Sequence, residues 1–248
     1  MNQTFILRRN VFASDCDSTA RLGVPETFAL FMDIAGQHAQ ELGNGLFTML
    51  DRGLFWAAVK TRVRFFRRPR MLEEVEAATW PEPPGRLRQN RDYALRSPGG
   101  EILTAGKTEW TILDRERGGL CPIREDIYPP GMEFSREQAL PEPFHRFTGP
   151  FEAPPFATYT VRSTDIDMGR HMNNVAYVRM LAGLFSVPQR ESREVRELEI
   201  HYRSACYEGE RLELRQREPE AGILELSATA AGDGRTVVLA RIVLASTS

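Results

Sequence analysis

The 248-residue sequence predicts an α+β fold in which one plan is used twice: a long apolar helix followed by a curling antiparallel sheet. Three observations carry that reading. Ser14-Asp15-Cys16-Asp17 recurs as Thr164-Asp165-Ile166-Asp167, 150 residues later. Each copy precedes a stretch with apolar residues at helical spacing. Each such stretch precedes segments of period-two alternation separated by turn residues.

The first helix opens at Pro25, a favoured first helical position, and runs to about Leu42. Phe28, Phe31, Met32, Ala35, Ala39 and Leu42 form its apolar stripe. Strands are expected from Trp56 to Phe66, Val75 to Trp80, Arg88 to Arg96 and Glu101 to Leu113, with Pro98-Gly99-Gly100 as the last hairpin turn. Residues 115–156 hold 8 of the 16 prolines. Proline removes a donor and fixes φ, so this segment reads as a connector over the surface, not a strand. A short helix fits Ser135 to Leu140. The second long helix starts near Asn174, puts Val175, Val178, Leu181 and Phe185 on one face, and stops at Pro188. Alternation then resumes at Leu198-Ile200-Tyr202, Leu212-Leu214, Leu224-Leu226-Ala228 and Val238-Ala240-Ile242-Leu244. Turn signals at Glu208-Gly209, Ala221-Gly222 and Gly232-Asp233-Gly234 make this an antiparallel meander. A helix this apolar is best buried by a sheet that wraps it. The arrangement is a tandem (double) hotdog, with halves at 1–114 and 157–248 joined by the connector. Two fused copies can mimic a symmetric pair, so a monomer and a homodimer are both compatible.

Composition removes several classes of function. The net charge is −2, and 30 arginines against 2 lysines are spread along the chain, so there is no whole-molecule field for nucleic acid. No apolar run is long enough to span a membrane. Met1 to Asn10 lacks an apolar secretory core, so no leader is expected there. Cys16, Cys121 and Cys206 are odd in number and far apart, which argues against a disulfide scaffold or zinc site and fits a reducing cytoplasm.

Several segments carry a more specific signal. The stretch from Asp165 to Tyr177 holds two aspartates, His171 and the pair Asn173-Asn174 at the entry to the second helix. Together with Asp33 to Gly43, Leu54 to Arg62, Asp92 to Arg96, Gly100 to Thr104 and Trp110, it resembles the acyl–acyl-carrier-protein thioesterases of bacteria and plastids. The likeness runs in order through both halves. It implies hydrolysis of a fatty acyl thioester of acyl carrier protein, ending fatty-acid synthesis, with no cofactor and the carrier protein as partner. The family's catalytic set is an Asp, an Asn two residues on and a His two beyond that, with a Glu-Cys pair on the following strand. Asp167 and His171 match; Gly169 stands at the Asn position, and Ala205, before Cys206, at the Glu position.

Thioester hydrolysis needs a water aimed at the carbonyl, a base for its proton and donors for the oxyanion. Asp167 suits the base or water-orienting role, with His171 beside it. The helix start at Asn173 or Asn174 favours developing negative charge. Asp167, His171 and Asn173 are therefore the candidate catalytic residues, although Asn173 and Asn174 also suit a purely structural role at the helix start. The first half is expected to hold the acyl chain, through Phe28, Met32 and Trp56. Its own Asp15-Cys16-Asp17 lacks a following His or Asn-Asn, which disfavours a second active site. Cys206 reads as a small buried apolar residue rather than a nucleophile, and His38 as a structural hydrogen-bonding residue. Arg62, Arg64, Arg67, Arg68 and Arg70 offer a docking face for an acidic carrier, or simply a solvated strand and turn. An acyl-CoA thioesterase on the same scaffold and a non-catalytic acyl-chain-binding hotdog protein are the alternatives.

Overall fold

The structure, a computed structural model, describes residues 3–148 and 151–246. The chain forms two compact units, Met1–Gly23 with Thr27–Glu142, and Val24–Glu26 with Pro143–Ser248. In the first, β1 (Phe5–Asn10) and a 3₁₀ turn at Ala13–Asp15 lead to α1 (Val24–Glu41) and the short α2 (Leu46–Asp51). There follow β2 (Leu54–Phe65), β3 (Glu74–Pro81), β4 (Gln89–Arg96), β5 (Ile102–Asp114) and the two-residue β6 (Leu120–Cys121). The antiparallel order is β1-β3-β4-β5-β2, with β6 also on β5.

Pro25 lies in the first turn of α1, where its missing N–H costs nothing, and Gly43 just past the end takes φ +75°. The helix buries Phe28, Phe31, Ile34 and Ala35. Phe31 stacks on Tyr93 of β4 with ring centroids 4.8 Å apart. A Cβ at Gly106 of β5 would come within 2.8 Å of the same Phe31 ring, so glycine there permits the close approach of helix to sheet.

The second unit repeats the plan. β7 (Ala157–Thr160) and a 3₁₀ turn at Ser163–Asp165 precede α3 (Asn174–Ala182) and α4 (Val187–Ser192). Then come β8 (Arg193–Tyr202), β9 (Arg211–Glu220), β10 (Ile223–Ala230) and β11 (Thr236–Ser246). Their order, β7-β9-β10-β11-β8, is that of the first unit. On α3, Tyr177, Val178 and Leu181 are buried, and the Tyr177 ring meets Tyr202 of β8 edge-on. Each unit is a hotdog, and the α+β tandem arrangement stands.

Local details differ from the sequence expectation. Of the four strands expected to form the second unit's meander, only β9-β10-β11 do so; β8 pairs with β11, because alternation identifies strands but not partners. The second helix ends at Ala182, capped by Gly183, and Pro188 opens α4 instead of terminating α3. The edge strands do not announce themselves: β1 has its apolar residues Phe5, Ile6 and Leu7 in a row rather than alternating, and β7 is only four residues long. No helix forms at 135–140. The connector does contain a strand, β6, and it is not simply laid over the surface. Ile123, Ile127 and Tyr128 are buried with Leu42, Met49 and Ile112. Further on, Trp80 Nε1 donates to the Glu137 carbonyl, and Ala139 N donates to Asp92 Oδ1.

Candidate functional site

Asp167, Gly169 and His171 lie in a tight turn between the second unit's 3₁₀ turn and α3. Asp167 N donates to the His171 carbonyl at 3.1 Å, and Arg170 N to the Asp167 carbonyl at 2.9 Å. Arg170 takes φ +62°, which a non-glycine residue holds only when its surroundings enforce it. The turn is pinned at both ends: Asn173 N donates to the Asp165 carbonyl, and Met172 N to the Cys206 carbonyl, each at 2.8 Å.

Asp165 and Asp167 have different duties. Asp165 Oδ2 accepts from Arg162 N and the Tyr159 hydroxyl, both at 2.8 Å, so it closes the 3₁₀ turn. Asp167 Oδ1 accepts only the Gly169 N–H, at 2.8 Å, and lies 3.8 Å from His171 Nδ1. Among the described residues its Oδ2 has no hydrogen-bond partner. The His171 and Asp167 side chains are 37% and 30% exposed, open enough for a ligand and a water to reach them. A separation of 3.8 Å is bridged by a water or by a small ring movement.

Asn173 is the N-cap of α3; its side chain accepts from Val175 N at 2.7 Å. Its amide is thus committed to the helix. Among the described residues, the Asn174 N–H, the first of α3, has no acceptor, as expected of a helix's first turn.

The two positions that depart from the family pattern have visible surroundings. A Cβ at Gly169 would sit 3.0 Å from Asp167 Oδ1 and from His171 Cε1 and Nε2, so the imidazole occupies the space a side chain at 169 would use. The Ala205 carbonyl accepts from Arg235, which also binds Glu210. Cys206 is fully buried; burial pushes its thiol up to about 11, with the neighbouring Glu210 adding to the rise against a hydrogen bond to Tyr177. A thiol that resists ionisation is no nucleophile at neutral pH.

The first unit contains the same turn. Asp17 N donates to the Arg21 carbonyl, Ala20 N to the Asp17 carbonyl and Gly23 N to the Asp15 carbonyl, and Ala20 takes φ +53°. Here Asp17 is closed off. Oδ1 accepts from Thr19 N at 2.9 Å and Thr19 Oγ1 at 2.6 Å, and Oδ2 is paired with Arg68. Burial works against the charged form, but the Thr19 and Arg68 bonds outweigh it and hold the carboxyl below the usual range.

A cavity of about 200 Å³ opens in the first unit. Met32, Ala35, Ala39, Leu46, Trp56 and Trp110 give it apolar walls, and Asn44, Gln89, Asn90, Arg91 and Tyr128 also line it. Of the residues expected to hold the chain, Met32 and Trp56 line this cavity. Phe28 does not; it is packed inside the core. His38 accepts from Arg91 Nη1 at 2.9 Å. Sequence reasoning misses the polar lining, although Gln89, Asn90 and Arg91 interrupt the alternation that marks β4.

The arginine run is largely spent internally. Arg62 donates to the Glu142 carbonyl, Arg64 pairs with the Glu142 carboxylate, Arg67 with Glu73 and Arg68 with Asp17. It makes a poor docking face, since those charges are already neutralised or buried.

Fold and turn together define a tandem hotdog protein with an open carboxylate–imidazole turn in its second copy. Residues 3–130 match the acyl-ACP thioesterase N-terminal domain and residues 150–243 the acyl-ACP thioesterase C-terminal domain, so the chain belongs to the acyl-ACP thioesterase family. It is 26% identical over 225 residues to oleoyl-acyl carrier protein thioesterase 1, chloroplastic, of Arabidopsis thaliana, covering 82% of this chain and 60% of that protein. It is 27% identical over 171 residues to the chloroplastic palmitoyl-acyl carrier protein thioesterase of Cuphea hookeriana, covering 64% and 40%. The chain thus spans less than two thirds of the length of these relatives. Two solved structures share its fold throughout. The 12:0-ACP thioesterase from Umbellularia californica superposes with a TM-score of 0.87 at 18% identity, covering 100% of this chain and 99% of that one. An acyl-ACP thioesterase from Bacteroides thetaiotaomicron gives 0.86 at 18%, covering 98% of both.

Proposed function

We propose that this protein hydrolyses fatty acyl–acyl-carrier-protein to free fatty acid and carrier protein. The observation that carries the reading is the open Asp167–Gly169–His171 turn in a chain matching both domains of the family. The similarity to oleoyl- and palmitoyl-acyl carrier protein thioesterases supports the choice of carrier. The three cysteines are free, in keeping with a cytoplasmic enzyme.

In this reading a water is held by Asp167 Oδ2, the oxygen the turn leaves available. The Gly169 N–H fixes the carboxylate through Oδ1. Asp167 takes the proton as the water attacks the thioester carbonyl and returns it to the thiolate as the tetrahedral intermediate collapses, with His171 orienting the water. The Asn174 N–H steadies the oxyanion. A thiol ionises near pKa 8.5, so the leaving group departs readily and water activation is the harder task. The alkyl chain is held by the first unit's cavity.

Release of free thiol from matched acyl–carrier-protein and acyl-CoA thioesters tests the proposal. Faster turnover of the carrier-protein substrate is expected. Equal or faster turnover of acyl-CoA changes the partner, and no release from either carrier by the folded protein overturns the hydrolase reading.

A further inference from the structure

The first unit's cavity is unusual for one that takes a plain hydrocarbon chain. Arg91 lines it and is itself only 8% exposed. Its Nη1 donates to His38 Nδ1 at 2.9 Å and to Thr79 Oγ1 at 3.4 Å, both uncharged acceptors when the imidazole is neutral. The lining groups nearby, Gln89, Asn90 and Tyr128, are amides and a phenol. Among the described residues no carboxylate pairs with Arg91. Burying a guanidinium without a counter-charge is costly, and burial here works against its charged form.

A second, independent donor lines the same cavity. Asn44 is 2% exposed, and its Nδ2 has no hydrogen-bond partner. Buried donors left unpaired are rare in folded proteins and call for an acceptor from outside the chain. Gln89 cannot serve, because its amide donates to the Glu82 carbonyl at 2.7 Å and its oxygen accepts from the Tyr128 hydroxyl. The lining therefore carries one cation and two unpartnered buried donors, the Asn44 amide and the Trp110 indole N–H. The rest of the lining, Met32, Ala35, Ala39, Leu46 and the rings of Trp56 and Trp110, is largely apolar. A dry cavity of about 150 Å³ takes a benzene-sized hydrocarbon, so this space suits a short alkyl stretch with one polar end.

We propose that the cavity binds an alkyl group tipped by a carboxylate, with Arg91 supplying the counter-charge and Asn44 a further hydrogen bond. Its extension to substrate rests on the thioesterase reading: the favoured acyl group carries a carboxylate at the end remote from the thioester.

Trp56 and Trp110 line the cavity, so tryptophan fluorescence of the intact chain reports its filling. Octanoate, octan-1-ol and octylammonium are the probes. Octanoate should bind about tenfold or more tighter than octanol, as a charge-assisted hydrogen bond implies, and octylammonium weakest. Arg91→Met should erase the preference for octanoate, and Met32→Trp, which fills the space, should remove binding of both. Octanol binding as well as octanoate overturns the proposal without needing any variant to fold. So does octanoate binding that survives Met32→Trp. A separate arm compares carrier-protein thioesters of octanoic acid and of octanedioic acid joined through one carboxyl. Higher kcat/KM for the carboxyl-tipped chain, lost in Arg91→Met, is expected. Equal turnover overturns the substrate preference alone, whereas no turnover of either strikes the thioesterase reading and leaves the fluorescence result to decide the cavity.

Discussion

The turns at 13–23 and 163–173 have the same backbone bonds and a left-handed residue at the same position, yet their aspartates are partnered differently. In the first, Asp17 spends Oδ1 on Thr19 and Oδ2 on Arg68, whose side chain is only 8% exposed. In the second, Gly169 replaces Thr19 and His171 replaces Arg21, and nothing among the described residues takes the place of Arg68. Asp167 keeps one oxygen unpaired. A carboxylate that already holds a cation and a hydroxyl gains little by binding a water; one with a vacant oxygen can. The two frames share their backbone bonds, and the side chains placed around each aspartate decide which one keeps a carboxylate oxygen available, as the proposed mechanism requires.

The largest expected effect breaks the comparison at its centre. Asp167→Ala should lower kcat on acyl–carrier-protein by about a hundredfold to ten-thousandfold, the usual contribution of general acid–base catalysis, with little change in Tm. Asp17→Ala should do the reverse, leaving turnover near the parent rate at permissive temperature. If both variants lose activity equally while folded, the two turns share the chemistry and the contrast fails.

Next comes the ion pair that closes the first turn. Arg68→Met leaves Asp17 without its cation in a largely buried site, and removal of one partner from such a pair costs about 3 kcal/mol. Denaturant unfolding at neutral pH measures it. The pH dependence follows from the lowered Asp17 value: its stabilisation is fully present above the unfolded carboxyl value, about 3.9, and is lost as pH falls through the folded value below that. Parent and Arg68→Met should therefore differ most at neutral pH and converge in acid. A gap that stays constant down to strong acid would mean that Asp17 is not the partner responsible.

How much of this is legible in the sequence follows from what each signal depends on. The duplicated Asp-X-Asp, the helical stripe from Phe28 to Leu42 and the strand alternation are local patterns, and they locate both hotdogs. The β8–β11 pairing, the burial of Ile123 and Ile127 from the proline-rich connector and the closure of Asp17 by Arg68 depend on residues distant in sequence, which no local period encodes. Arg68 is visible in the sequence only as one of a run of arginines and reads there as available charge. Arg91 is hidden for a similar reason: within a strand, an arginine ordinarily reads as facing solvent. Asp167 and His171 can be named because their spacing lies within one turn.

Asn173 supplies a smaller effect. It caps α3 with its side chain, whereas its counterpart Gly23 caps α1 with no side-chain bond. Asn173→Ala should cost about 1 kcal/mol of stability, measured by denaturant unfolding. If Asn173 is only a cap, kcat at a temperature where the variant is folded should fall by less than tenfold; a drop as large as that of Asp167→Ala would make its amide part of the chemistry.

The smallest effect sharpens the comparison at the position where glycine and threonine differ. Thr19 fits the first turn because its hydroxyl binds Asp17. In the second turn, a Cβ at 169 meets the His171 ring and Asp167 Oδ1 at 3.0 Å. Both neighbours are side-chain ends, and the partly exposed imidazole can swing outward by a few tenths of an ångström. Gly169→Ala should therefore change stability by no more than about 0.5 kcal/mol. Turnover should fall only a few-fold, as the ring shifts from its place beside the carboxylate, and the histidine side-chain NMR signals should move. Gly169→Thr takes the same step and adds the hydroxyl that occupies Asp17 in the first turn. If Gly169→Thr costs more activity than Gly169→Ala at equal stability, occupancy of the aspartate oxygen, and not crowding of the ring, is what separates the two turns; equal losses would assign the difference to the position of His171.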